Sequence, residues 1–221
     1  MVSSRQVRIL AHPRTEVRGF RKRYAKKNMK RNIKSNLYVI THCESCYNKR
    51  GIFTGRIDSV LTKEGHIHAR LLAKKLEKIQ IDLAYTSPLK RARQTLKHIL
   101  KYHPDTKVIV DKRIIERDYG DLSGKSKEKY KKENPELYPV YHRSYKTSPP
   151  GGESMIEVEK RVLSFIEAVI EKMKRENINV LIVAHSNSVR PIIRYFESLT
   201  PEQMMKMEDT RHRIFRYEIR N

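Results

Sequence analysis

Tryptophan is absent from this 221-residue chain, and cysteine occurs only twice. Two cysteines cannot staple a fold, so stability has to come from a hydrophobic core. Cys43 and Cys46 are spaced as C-x-x-C beside His42, but no second C-x-x-C or histidine pair accompanies them. That argues against a structural zinc site or a redox pair, and leaves two reduced thiols of a cytosol-like compartment. No apolar run approaches the roughly 20 residues needed to cross a bilayer, and no secretory segment is recognisable. Acidic residues are scarce as well: 25 Asp and Glu stand against 48 Lys and Arg, for a net charge of +23. Such a surface is either a solvated lysine coat or an attractor for phosphorylated partners, which include small anions, nucleic acid and membrane lipid.

The scarcity of acid is most marked at the start. Residues 1–36 hold 12 Lys and Arg and a single acid, Glu16, while Pro13 and Gly19 interrupt any long helix. This segment is expected to be a basic, mobile N-terminal arm. A dispensable tail, an organelle transit segment (Arg-rich, Ser-containing, acid-poor) and a nucleic-acid-binding arm are its three readings.

From residue 37 to 221, one domain is expected, with strands and helices in alternation. Leu37–Ile40, Asp82–Tyr85, Lys107–Val110, Asn179–Ala184 and Arg213–Ile219 have the character of strands. Thr62 is expected to begin a helix whose inner face is Ile67, Leu71, Leu72, Leu76 and Ile79. Pro88 opens another, with Leu89, Ala92, Leu96, Ile99 and Leu100 inward. Glu153–Arg175 carries a stripe of Met155, Val158, Val162, Phe165, Ile166, Val169 and Met173, and Val189–Leu199 forms a further helix. Residues 117–152 are polar and rich in Gly, Pro and Tyr, with a short helix near 125–133, as a lid insertion would be. The alternation predicts an α/β fold, a three-layer α/β/α sandwich on a mostly parallel sheet.

Two of these strands end alike. Leu37–Ile40 runs into Thr41-His42, and Val180–Ala184 runs into His185-Ser186. Ligands of open α/β sheets bind beyond the carboxyl ends of strands, so both histidines are expected in one site. Asn48, Thr54-Gly55, Arg91 and Glu116 also fall at strand ends or on the following loops. Two histidines, an arginine and a carboxylate match no metal-ligand spacing, but they suit phosphoryl transfer. A neutral imidazole can attack phosphorus, cations can hold the phosphate oxygens, and a carboxyl group can move the proton. His66, His68, His98 and His103 have no motif support and are expected on helix surfaces.

Several blocks carry a family resemblance in the same order. Thr41-His42-Cys43-Glu44-Ser45-Cys46-Tyr47-Asn48 resembles Arg-His-Gly-Glu-Ser-x-Trp-Asn. Phe53-Thr54-Gly55-Arg56-Ile57-Asp58, Tyr85-Thr86-Ser87-Pro88-Leu89-Lys90-Arg91-Ala92, Glu116-Arg117-Asp118-Tyr119-Gly120 and Ala184-His185-Ser186-Asn187-Ser188 follow. The chain resembles the histidine phosphatase superfamily, and within it the cofactor-dependent phosphoglycerate mutases. That resemblance implies His42 as phosphoacceptor, Arg91 and His185 as holders of the transferred group, and Glu116 as proton donor and acceptor. It implies contacts to phosphate or substrate by Asn48, Thr54 and Gly55. Tyr119, Lys127, Arg143 and Asn187 would hold the carboxylate or distal phosphate. It further implies 2,3-bisphosphoglycerate as phosphoryl donor, no metal, a small phosphorylated substrate and a cytoplasmic, glycolytic setting, with a homodimer left open.

The pattern is not followed everywhere. Thr41 stands where the family has an arginine, which weakens that position because charge-assisted hydrogen bonds are about twice as strong as neutral ones. His142 replaces one arginine of the lid. Pro150-Gly151-Gly152-Glu153-Ser154 resembles the phosphatase branch, and the lid is short. Three functions are therefore carried forward: a phosphoglycerate mutase, a phosphomonoesterase of the same superfamily, and a non-catalytic binder of phosphorylated ligands or nucleic acid.

Overall fold

A computed structural model describes residues 34–207 and 209–220. The first strand, β1 (Lys34–Thr41), is followed by the short helix α1 (Cys46–Lys49) and by α2 (Lys63–Leu76). Next come β2 (Leu83–Thr86), α3 (Lys90–Ile99), β3 (Lys107–Val110), α4 (Lys127–Glu133) and α5 (Leu137–Arg143). The chain then forms α6 (Met155–Glu176), β4 (Val180–Ala184), α7 (Ser186–Glu197), α8 (Pro201–Lys206) and β5 (Ile214–Arg220). The sheet order is β3-β2-β4-β1-β5, parallel except for β5, which runs antiparallel along β1.

Strand periodicity divides the core into two layers, since successive side chains point to opposite faces. Leu37 and Val39 of β1 and Val180, Ile182 and Ala184 of β4 pack with Met155, Val158, Val162, Phe165 and Ile166 of α6 and with Val189 and Ile192 of α7. Tyr38, Ile40, Leu181 and Val183 face the other way, onto Leu72 and Leu76 of α2 and Ala92 and Leu96 of α3. Helices thus cover both faces of the sheet, and the expected three-layer α/β/α sandwich is the observed fold. Strands β1 and β4, buried on both faces, are apolar throughout their cores, as parallel strands must be.

Capping explains where the helices begin. Thr62 accepts from Gly65 N at the start of α2, and Ser154 forms a reciprocal capping box with Glu157 at the start of α6. Helix α3 begins at Lys90 rather than at Pro88, because Asp58 accepts from Lys90 N at 2.8 Å and caps it from a neighbouring loop.

Several expectations need correction. Ile67 and Leu71 of α2 are about half exposed, at 48% and 56%, and the buried face is Gly65, Ala69, Leu72, Ala73 and Leu76. Small residues allow α2 to lie close to its neighbours, which a count of large apolar side chains overlooks. Strand β1 begins at Lys34, whose backbone pairs with Arg220, so residues 34–36 belong to the sheet and not to the basic arm. The rest of the arm lies outside the described residues. Helix α7 starts three residues earlier than expected, at Ser186, directly after His185. His103 is buried, not on a helix surface. His66 and His98 share a 2.9 Å hydrogen bond, and the His68 ring packs on His212.

Candidate active site

The register of β1 and β4 sets Thr41 beside Ala184, and His42 N donates to Ala184 O at 3.0 Å. The next residue on each strand is a histidine, so the rings of His42 and His185 come to lie 5.0 Å apart, edge to face. His42 Nδ1 is 2.6 Å from its neighbour's carbonyl, Cys43 O. A carbonyl only accepts, so Nδ1 carries the proton and Nε2 keeps its lone pair. Arg91 Nε donates to that Nε2 at 3.2 Å. The pKa of His42 is pushed down to about 3, first by burial and then by the Arg91 guanidinium. The imidazole is therefore neutral, as a nucleophile must be. His185 is fully buried and is likewise held neutral by burial, with Arg91 and His42 adding to the effect. Both of its ring nitrogens lack a hydrogen-bond partner, an unusual state for buried polar atoms.

Arg91 is itself fixed by backbone. Nη1 donates to Ile57 O and Nη2 to Gly55 O, each at 2.9 Å. Thr95 completes the support, donating to Arg91 O and accepting from Cys43 N. Glu116 is buried at the cavity wall, and its Oε1 accepts from Arg117 N at 2.8 Å. Its segment hangs on Arg161 of α6, which donates to the carbonyls of Arg113, Ile115 and Glu116 and pairs with Glu153. Ser188 Oγ of α7 adds a bond to Ile115 O at 2.6 Å.

His42, Asn48, Thr54, Gly55, Arg91, Glu116, Tyr119, Lys127, Arg143 and Asn187 all line one cavity of about 200 Å³. Among the twelve candidates taken from the sequence, Thr41 and His185 are not part of this lining, although the His185 ring lies beside that of His42. His142, Ser186, Arg190, Asp209 and Arg211 line the cavity too. Of these, Arg190 sits one helical turn beyond Asn187 and donates to its Oδ1 at 3.0 Å. That spacing was legible only once α7 was known to begin at Ser186. Asp209 and Arg211 come from the loop before β5, where no motif marks them.

The cavity is crowded with positive charge. Burial lowers the pKa of Lys127, helped by Arg143 and Arg211 and opposed by Glu116. Burial and the charges of Lys127 and Arg143 push His142 down to about 3, so a neutral ring stands in the lid. Phe53 packs against Tyr119 and Tyr130 beneath α4 and α5, which carries the lid helices on an aromatic base. The N-terminus of α7 delivers Ser186 and Asn187 to the cavity wall, adding the partial positive charge of a helix end.

Comparison with known proteins agrees with this geometry. The profile of the histidine phosphatase superfamily (branch 1) matches residues 37–221. The chain belongs to the histidine phosphatase superfamily. A 2,3-bisphosphoglycerate-dependent phosphoglycerate mutase of Brucella anthropi is 38% identical over 177 residues, covering 78% of this chain and 86% of that protein. In fold, the chain is similar to a mycobacterial glucosyl-3-phosphoglycerate phosphatase, with a TM-score of 0.74 at 21% identity over 84% of this chain and 90% of the other. It is similar also to the α-ribazole phosphatase of Shigella flexneri, with a TM-score of 0.72 at 24% identity over 82% of this chain and 89% of the other. Superfamily membership makes the chain an enzyme of the mutase or the phosphatase kind. Among the described residues, no helix is long and apolar enough to cross a membrane.

Proposed function

We propose that this enzyme is a phosphoglycerate mutase that interconverts 2- and 3-phosphoglycerate through a phosphohistidine at His42. The observation that carries the reading is the cationic lining of the cavity. Besides a neutral imidazole with an arginine on its free nitrogen, it holds Lys127, Arg143 and Arg190, with Arg143 acting electrostatically on both of the others. One phosphoryl group does not need so many cations, whereas a small substrate with a second anionic group does. The mutase relatives in Brucella support the same choice.

In this reading, His42 Nε2 attacks phosphorus while Nδ1–H stays on Cys43 O. The bond from phosphorus to the substrate oxygen breaks, its electron pair stays on that oxygen, and protonated Glu116 supplies the proton. Arg91 Nε, a ring N–H of His185 and the α7 N-terminus stabilise the charge on the equatorial oxygens. In the return step, Glu116 takes the proton of an incoming hydroxyl, whose oxygen attacks the phosphorus and frees a neutral His42. The unpartnered nitrogens of His185 and the several cations of the cavity fit a bisphosphate. Bound 2,3-bisphosphoglycerate would supply the phosphoryl group that loads His42. Arg91 and His185 would hold one of its phosphates, and Lys127, Arg143 and Arg190 its carboxylate and the other. A cytoplasmic setting goes with such a substrate.

A phosphomonoesterase is the second reading, favoured by a lid of only two seven-residue helices, α4 and α5, and by the Pro150–Ser154 run. There, water takes the place of the incoming hydroxyl. The test is to mix the protein with 3-phosphoglycerate and a trace of 2,3-bisphosphoglycerate and to measure 2-phosphoglycerate against free phosphate. The mutase reading expects isomerisation to outpace phosphate release. Phosphate release without isomerisation would leave the phosphatase.

A further inference from the structure

Arg91 directs its Nε–H at the nucleophile, and each of its terminal nitrogens already gives one N–H to a carbonyl, that of Ile57 or of Gly55. A phosphoryl group in transfer spreads its charge over three equatorial oxygens, so a second cation beside Arg91 adds to its stabilisation. The residue before His42 does not supply it. Thr41 is uncharged and fully buried, and its hydroxyl bonds Thr210 Oγ1 at 2.6 Å, itself fully buried.

That bond pins the segment leading into β5 against the end of β1. It delivers the next residue, Arg211, to the cavity wall that also holds His42, Arg91 and Glu116. Asp209 fixes the arginine further: its Oδ1 accepts from Arg211 N at 2.9 Å, and its Oδ2 takes Nε and pairs with Nη2. The pair leaves Nη1 outside it. Arg211 contributes to lowering the pKa of both His42 and Lys127, while Asp209 opposes it at each, so the pair faces the space between them.

We propose that Arg211 is a further catalytic residue, a phosphoryl-gripping arginine supplied from the loop before β5 in place of a cation at position 41. Thr210 and Asp209 are its positioning residues. The proposal rests on the phosphohistidine reading but not on the choice between mutase and phosphatase. It gives a reason for the threonine at 41: the cation has moved to a different segment, and Thr41 has become the anchor of that segment.

The test uses the full chain, p-nitrophenyl phosphate as a simple phosphomonoester and orthovanadate as a mimic of phosphorus in transfer. Arg211→Ala is expected to lower kcat by about 100-fold and to weaken orthovanadate inhibition comparably, as loss of a transition-state donor does. A loss below tenfold in orthovanadate affinity overturns the proposal. Arg211→Gln, which keeps most of the stem, is read against the same threshold if the alanine variant melts below the assay temperature. Thr210→Val and Asp209→Asn are expected to weaken orthovanadate in the wild-type background and to add nothing in the Arg211→Ala background. Equal losses in both backgrounds would refute the positioning role. His42→Ala separates the two levels of argument: wild-type turnover in that variant removes the phosphohistidine reading itself. A dead His42→Ala beside an unaffected Arg211→Ala removes only the role given to Arg211.

Discussion

Arg91 Nε donates to His42 Nε2 at 3.2 Å, while the other two nitrogens of the same guanidinium are bound to the carbonyls of Gly55 and Ile57. The nitrogen proposed as nucleophile and the donor nearest to it are thus aligned, and backbone rather than side chains holds the alignment. Lysine at this position keeps the charge but cannot bind two carbonyls and the imidazole at once. Arg91→Lys is expected to lower kcat by about 100-fold with a smaller change in KM. Stopped-flow measurement of phosphoenzyme formation would check this, and a rate within threefold of wild type would show that charge alone suffices.

Burial of His42 has a consequence for stability. Its pKa is about 3 in the fold against 6.5 for an ordinary histidine. Between those values, the unfolded chain binds a proton that the folded chain refuses, so stability falls as pH falls through this window. At a pH of about 5, the penalty from His42 alone is about 2 kcal/mol. His185, shifted in the same direction, adds to it. Urea unfolding at neutral pH and at a pH of about 5 measures the loss, and His42→Asn should reduce it, leaving the share that belongs to His185. An unfolding midpoint that does not move between these conditions would contradict the burial assigned to this ring.

The cations of the cavity should respond to different probes. Lys127 and Arg190 line the cavity, and in the mutase reading each would hold an anionic group that p-nitrophenyl phosphate lacks. A charge-assisted hydrogen bond contributes about 1.5–3 kcal/mol, which is roughly 10- to 100-fold in binding. Lys127→Ala and Arg190→Ala are therefore expected to raise KM for 3-phosphoglycerate by at least about tenfold. Turnover of p-nitrophenyl phosphate should stay within about twofold. Equal losses on both substrates would place these residues at the transferred phosphoryl group instead.

The legible parts of this molecule were those in which one local pattern decides the outcome. The apolar runs ending at His42 and His185 specify buried parallel strands, and the stripe on α6 from Met155 to Met173 is wholly buried. Helix α2 was misjudged because its packing face is made of Gly65, Ala69 and Ala73, which weigh little in a periodicity of large side chains. Helices α5 and α8, of seven and six residues, are too short for periodicity to register. Asp209 and Arg211 were illegible for another reason. Their place in the cavity depends on the antiparallel return of β5 along β1 and on a hydroxyl pair between residues 169 positions apart. No local pattern encodes such a contact.

In the proposed mechanism, Gly55 ties the backbone to catalysis directly. Its φ of +49° lies in the left-handed region, and a Cβ there would stand 2.9 Å from Ser123 Oγ and 3.2 Å from Tyr119 N. Its carbonyl is the acceptor that holds Arg91 Nη2. Alanine would bring backbone strain of about 1–2 kcal/mol, a steric push, and a shift of the carbonyl that aims Arg91. Gly151 also has a positive φ, of +67°, but a Cβ there meets nothing closer than 3.5 Å, and the residue is exposed. Both Gly55→Ala and Gly151→Ala should lower Tm by several degrees, at about 2–4 °C per kcal/mol for a chain of this size. Only Gly55→Ala should also lose kcat, by roughly tenfold or more, because only its carbonyl holds a transition-state donor. Thermal melts and turnover of p-nitrophenyl phosphate on the two variants separate strain from positioning. Equal kcat in both would mean that Arg91 finds its place without Gly55.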